Sequence, residues 1–207
     1  MLNVLSQRIH KANEKWWLDL RTGERLNRDK GELLCLIHSE ISECMEGERK
    51  SLMDTHITHR PMAEVELADI LIRTLDYAAG FGYDLDGAMA FKMGMPIYRY
   101  AEQIVSLETM IGDIGSFYLA YGESVNKGYL LTKMHSEVTG VFDSEFTYAR
   151  NVGEIKDRLA GLIFCVCRYA HTFKYDLRGA VEDKLAYNAQ REDHKAEARL
   201  AANGKKW

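Results

Sequence analysis

The feature that most constrains this chain is that it matches itself. Leu33-Leu34-x-x-x-His38-Ser39-Glu40 recurs 97 residues later as Leu130-Leu131-x-x-x-His135-Ser136-Glu137. Further on the offset is 92. It pairs Leu67-Ala68 with Leu159-Ala160, Tyr77-Ala78 with Tyr169-Ala170, Tyr83-Asp84-Leu85 with Tyr175-Asp176-Leu177, and Gly87-Ala88 with Gly179-Ala180. Lys92 falls on Lys184 and Arg99 on Arg191, so the second copy has a loop five residues shorter. Two copies of one unit in 207 residues are expected to pack as a pseudo-dimer, residues 1–95 forming the first repeat and 96–207 the second. Further self-association is left open.

The repeated unit reads as helical. Only two prolines, Pro61 and Pro96, interrupt the chain, and apolar residues recur at a 3–4 spacing, as in Leu33, Leu34, Ile37, Ile41 and Met45. The pattern predicts helices over 3–20, 29–50, 61–79, 84–92, 97–121, 128–146, 154–173 and 176–202, with a polar loop at 51–60. The expected fold class is an all-α helical bundle. Hydrophobic residues make up 46% of the chain, too many for a disordered one.

Charge excludes further classes. Lys and Arg number 27 against 31 Asp and Glu, with no long basic run, so a nucleic-acid polymer is not the expected partner. The longest apolar stretch, 159–167, covers nine residues, about half a membrane span, so no membrane partner is expected either. The first fifteen residues lack the apolar core of a signal peptide, and a cytoplasmic protein is expected. Cys35, Cys44, Cys165 and Cys167 form no Cys-x-x-Cys motif and are expected as reduced core thiols.

The carboxylates break the repeat. Glu40 and Glu43 stand three apart on one predicted helix, and Glu66 and Asp69 do so on the next, so each pair shares a face. If the helices pack antiparallel, four carboxylates converge and repel unless a cation sits between them; oxygen ligands suit Mg²⁺, with Mn²⁺ as a substitute. In the second copy Glu43 becomes Gly140, Glu66 becomes Arg158 and Asp69 becomes Gly161, while Glu40 persists as Glu137. Loss of three as a set, with the apolar framework kept, is expected of one metal site in the first half and none in the second. The last helix carries the complement: Lys184, Asn188 and Arg191 lie on one stripe with Tyr187 beside them, where the first copy has Met95-Pro96 in place of Tyr187-Asn188.

At these residues the chain resembles the MazG-like all-α nucleoside triphosphate pyrophosphohydrolases. That family's mark, Glu-x-x-Glu followed after a loop by Glu-x-x-Asp, reads here Glu40-Ile41-Ser42-Glu43 and Glu66-Leu67-Ala68-Asp69. Residues Lys184 to Arg191 and the closing Gly204-Lys205-Lys206-Trp207 look like its nucleotide-contacting segment, and Trp16-Trp17 fits members with an aromatic near the first helix. Ser39 stands where the family often has a further Glu, and a charged segment separates His194 from Gly204. The resemblance implies cleavage of a (d)NTP between its α and β phosphates, giving a monophosphate and pyrophosphate. Glu40, Glu43, Glu66 and Asp69 would be the catalytic metal ligands. Lys184, Tyr187, Asn188 and Arg191 would bind substrate, and Trp16 or Trp17 would stack on the base or lie in the core.

Other readings stay open. The chain could be a silent nucleotide- or alarmone-binding module, or an interaction protein whose acidic faces are merely solvated. A third reading gives a metal to His56-x-x-His59 with Asp54.

Overall fold

Short polar side chains start most of the long helices. The computed structural model describes residues 1–121, 126–147 and 149–204, with the side chains of 117–121 left aside. Helix α1 spans Leu2–Ala12, α2 Lys30–Lys50 and α3 Met62–Phe81. Then come α4 Asp86–Lys92, α5 Ile97–Gln103, α6 Leu107–Tyr121, α7 Lys127–Phe146, α8 Val152–Phe173, α9 Leu177–Gln190 and α10 Ala196–Leu200. Asp29, Asn126, Asn151 and Asp176 each accept a backbone N–H from the first turn of α2, α7, α8 and α9, satisfying a donor the helix leaves open. Among the described residues there is no strand, only two isolated bridges. The all-α expectation holds.

Three helices end earlier than their periodicity predicts. The first stops at Ala12, not 20; the chain turns through a 3₁₀ turn at Glu14–Trp16, and Trp17 packs edge-on to His10 and Phe81. The predicted 97–121 helix breaks after Gln103. Ser106 and Thr109 exchange side-chain-to-backbone hydrogen bonds that start α6 afresh, a reciprocal cap present in the sequence. The predicted 176–202 helix ends at Gln190, where Arg191 turns into extended backbone and its Nε bonds Asp193 at 2.6 Å. Cys44, Cys165 and Cys167 are buried free thiols as expected, but Cys35 is exposed.

Helices α2 and α3 run antiparallel: Cys44 Sγ reaches the Ala63 carbonyl at one end, and Arg73 reaches Glu40 further along. Helices α7 and α8 pack likewise, and α2 meets α7 and α3 meets α8 to form the core. The interior is largely aliphatic, with Ile37, Ile41, Leu67, Leu71, Met134, Val138, Leu159 and Ile163 fully buried beside the rings of Tyr77, Tyr100 and Tyr169.

Contacts recur at the two sequence offsets. Tyr77 and Tyr83 donate their hydroxyls to Glu145, as do Tyr169 and Tyr175 to Glu48. Lys30 pairs with Glu145 and lies over Phe81, while Lys127 pairs with Glu48 and lies over Phe173. Each group thus ties one half to the other. Where the halves meet, His38 and His135 stack at 13° with their Nδ1 atoms 2.8 Å apart. The closing helices are exchanged: α4 packs on α8, and α9 packs on α3. That exchange positions the site.

Candidate functional site

A cavity of about 470 Å³ lies where α2, α3 and α9 meet, within the range of small-molecule sites. Seven of the eight residues expected at the site line it: Glu40, Glu43, Glu66, Asp69, Lys184, Asn188 and Arg191. The eighth, Tyr187, is not among the lining residues. Its ring stacks on that of His56 at 5.0 Å, and the Arg191 guanidinium carbon lies 5.7 Å from the Tyr187 ring centroid.

Antiparallel packing brings the carboxylates together as the i, i+3 spacing requires. One oxygen each from Glu40, Glu43 and Glu66 lie within 4.8 Å of one another. At Mg²⁺ bond lengths of about 2.1 Å, octahedral oxygens lie about 3 Å apart when cis and about 4.2 Å when trans, so these three would draw closer to share an ion. Glu40 and Glu66 are buried and Glu43 is exposed. Asp69 stands apart from the triad, its Oδ2 2.5 Å from Lys184 Nζ. Arg73 Nε donates to Glu40 Oε1 at 2.6 Å.

Electrostatics explains why such a cluster wants a cation. Burial, then the charges of Asp69 and Glu40, push the Glu66 carboxyl well up, so a positive charge beside it is favoured. Burial and Glu40 likewise raise Glu43. Lys184 is buried, which works against its charge, but Asp69 and Glu66 outweigh that and raise it. The donor set is all oxygen and close to convergence, so it fits a hard divalent cation, with Glu40, Glu43 and Glu66 the residues to hold it and Asp69 adjoining.

Sequence reasoning missed part of the lining. Asn13, Arg28, Ser39, Asp76 and His194 face the same cavity. Arg28 sits in the connection before α2, where periodicity gives no signal, and its Nη1 donates to the Trp16 carbonyl. The aromatic pair divides: Trp16 lines the cavity, whereas Trp17 is 2% exposed and donates its Nε1–H to Asp76 in the core. Of the histidine reading, Asp54 and His56 reach the cavity, but Asp54 caps its own turn and His59 pairs with Asp183 on α9. Gly204 is described, while Lys205, Lys206 and Trp207 lie outside the described residues.

The equivalent place in the second half is filled from within. Arg158, at the position of Glu66, lies 3.5 Å from Glu137, and Lys133 reaches the same carboxylate at 3.4 Å. Side chains at the two glycines would collide with this pair: a Cβ on Gly140 would come within 2.8 Å of Arg158, and one on Gly161 within 2.9 Å of Glu137. No family model, characterised protein or solved structure matches the chain. No helix among the described residues is long and apolar enough to cross a membrane.

Proposed function

We propose that this chain is a Mg²⁺-dependent nucleoside triphosphate pyrophosphohydrolase of the MazG-like kind, built as an internal pseudo-dimer and acting in the cytoplasm. One observation carries the reading. Four carboxylates from α2 and α3 line a single cavity with Lys184, Asn188 and Arg191 of the crossed helix α9 and its end. An acidic cluster alone is common; one faced by cations and an amide across a nucleotide-sized cavity is built for a metal-bound polyanion.

When bound, the cation would neutralise phosphate oxygens and the charge that develops on departing pyrophosphate. The chain's residues do the rest. Lys184 and Arg191 offer charge-assisted donors to phosphate oxygens, Arg191 with a planar fork that Lys184 lacks. Asn188 fixes the nucleotide between them. A carboxylate of the cluster accepts the proton of the attacking water once the site is assembled. The walls from Leu33, Leu36 and Ile72 exclude bulk water on the apolar side.

The test is pyrophosphate release across all NTPs and dNTPs with Mg²⁺, on wild type and Glu43→Gln. At least one nucleotide should yield monophosphate and pyrophosphate, and the variant should lose about 10²-fold or more. A wild type inactive on all of them, or a fully active variant, sinks the reading.

One observation favours the silent-module alternative: Lys184 and Arg73 already neutralise Asp69 and Glu40. That alternative predicts nucleotide binding without turnover. Calorimetry with Mn²⁺ separates both from an interaction protein, which takes up no metal.

A further inference from the structure

Helix α9 and the turn after it run the length of the cavity. Lys184 meets the carboxylates at one end. Asn188 lies one turn on, about 6 Å along the axis. Beyond the helix end, His194 meets Trp16 edge-on, with ring centroids 5.0 Å apart. The cavity is therefore polar at one end and aromatic at the other. Between them sits an open demand: among the described residues, Asn188 Oδ1 is buried with no hydrogen-bond partner, while the Asn188 carbonyl takes up Lys15 Nζ. A buried acceptor without a donor is costly unless a ligand supplies one.

The aromatic end is built by the segment after α9. Arg199 of α10 is 8% exposed and places its guanidinium carbon 3.9 Å from the Trp16 ring centroid. An approach that short lies over the ring face, because the ring's own edge would hold an in-plane group further out. Arg199 Nη1 also donates to the Lys15 carbonyl at 2.6 Å, beside Trp16 in the chain. Residues 192–200 thus form a strap whose one buried guanidinium holds both the ring and the backbone of the 3₁₀ turn that carries it. Such a stack is worth the most when desolvated.

We propose that Arg199 is a positioning residue for nucleobase recognition: it fixes Trp16 as the platform on which the base docks, while Asn188 accepts a hydrogen bond from the sugar or base. This rests on the nucleotide reading of the site but not on turnover. The ligand class is a nucleoside triphosphate read by its base as well as by its phosphates.

The experiment titrates the full-length chain with Mn²⁺ and either a dNTP carrying a non-hydrolysable α,β bridge or inorganic tripolyphosphate. Wild type, Arg199→Ala, Arg199→Lys, Trp16→Phe and the Arg199→Ala/Trp16→Phe double variant are compared. Arg199→Ala should weaken the best nucleotide by about tenfold and leave tripolyphosphate within twofold. Arg199→Lys should recover part of the loss, because an ammonium keeps the charge without the planar stack. In the double variant the two losses should not add. Equal losses for nucleotide and tripolyphosphate, additive losses, or no change in nucleotide affinity overturn the proposal. If wild type hydrolyses nucleotides while these variants bind normally, the strap inference fails alone. If wild type binds without turnover and the variants weaken selectively, the hydrolase reading fails alone. No nucleotide binding by wild type overturns both.

Discussion

Two equivalent places in this molecule solve the same electrostatic problem in opposite ways. In the first half, Glu40, Glu43 and Glu66 crowd together, and burial with the neighbouring charges pushes the Glu66 carboxyl upward. In the second half, Glu137 keeps the position of Glu40, but Arg158 replaces the facing carboxylate and glycines remove the other two. A permanent side-chain cation there does what an exchangeable ion would do in the first half. The difference teaches that a buried carboxylate needs compensation in either case. Only a compensator that can leave makes room for chemistry.

The largest expected contrast is in activity. Glu40→Gln should cost pyrophosphate release about 10²-fold or more, whereas Glu137→Gln should leave it within about twofold. Equal losses in assays of both variants would erase the distinction between the halves. Stability should show the reverse: Glu137→Gln leaves Arg158 without its carboxylate, and since Arg158 is partly exposed, denaturant melts should show a loss of about 1–2 kcal/mol.

A gain of function sharpens the comparison further. Gly140→Glu, Arg158→Glu and Gly161→Asp together rebuild the first-half carboxylate set in the second half. Calorimetric titration with Mn²⁺ should then show more ions per chain than wild type; an unchanged stoichiometry would mean that the second framework lacks the geometry as well as the carboxylates.

The halves should respond alike to acid. Hydrogen bonds from Lys127, Tyr169 and Tyr175 hold Glu48 below its ordinary value of 4.5 despite partial burial, and Lys30, Tyr83, Arg150 and Tyr77 do the same for Glu145. A lowered folded value gives stability that is fully present above about pH 4.5 and is lost as pH falls through the folded value. Melting temperatures of Glu48→Gln and Glu145→Gln should therefore be lower than wild type near neutrality and flatter below pH 4.5. The smallest contrast is at Lys92, the exposed counterpart of Lys184: Lys92→Ala should move stability by less than about 0.5 kcal/mol and activity not at all, while Lys184→Ala should impair nucleotide binding.

Much of this was legible in the chain because helical spacing is a local signal. Antiparallel packing was enough to bring Glu40, Glu43 and Glu66 together, while Asp69 turned to Lys184. Lys184 and Asn188 needed only one face of α9 directed inward, whereas Arg191 lines the cavity from the extended turn past the helix end. What escaped were features set by distant partners. Trp17 ends the first helix because Asp76 and Phe81 hold it in the core, and nothing at residues 13–20 announces that. Arg28 reaches Trp16 from a connection without periodicity, and Arg199 reaches it only because the predicted 176–202 helix breaks after Gln190 and folds back, which no local pattern marks. Tyr187 sits on the right helix, yet its ring turns to His56 in the polar loop, a contact that stripe arithmetic does not contain.

The exchange of α4 and α9 between the halves has a consequence for how this protein tolerates change. Two separate chains would have to find each other, and every substitution would appear in both places at once. Joined end to end, each closing helix meets its groove at an effective concentration in the millimolar range whatever the dilution. One groove can then drift toward pure scaffolding while the other keeps its carboxylates, a freedom that a symmetric pair of identical chains is denied.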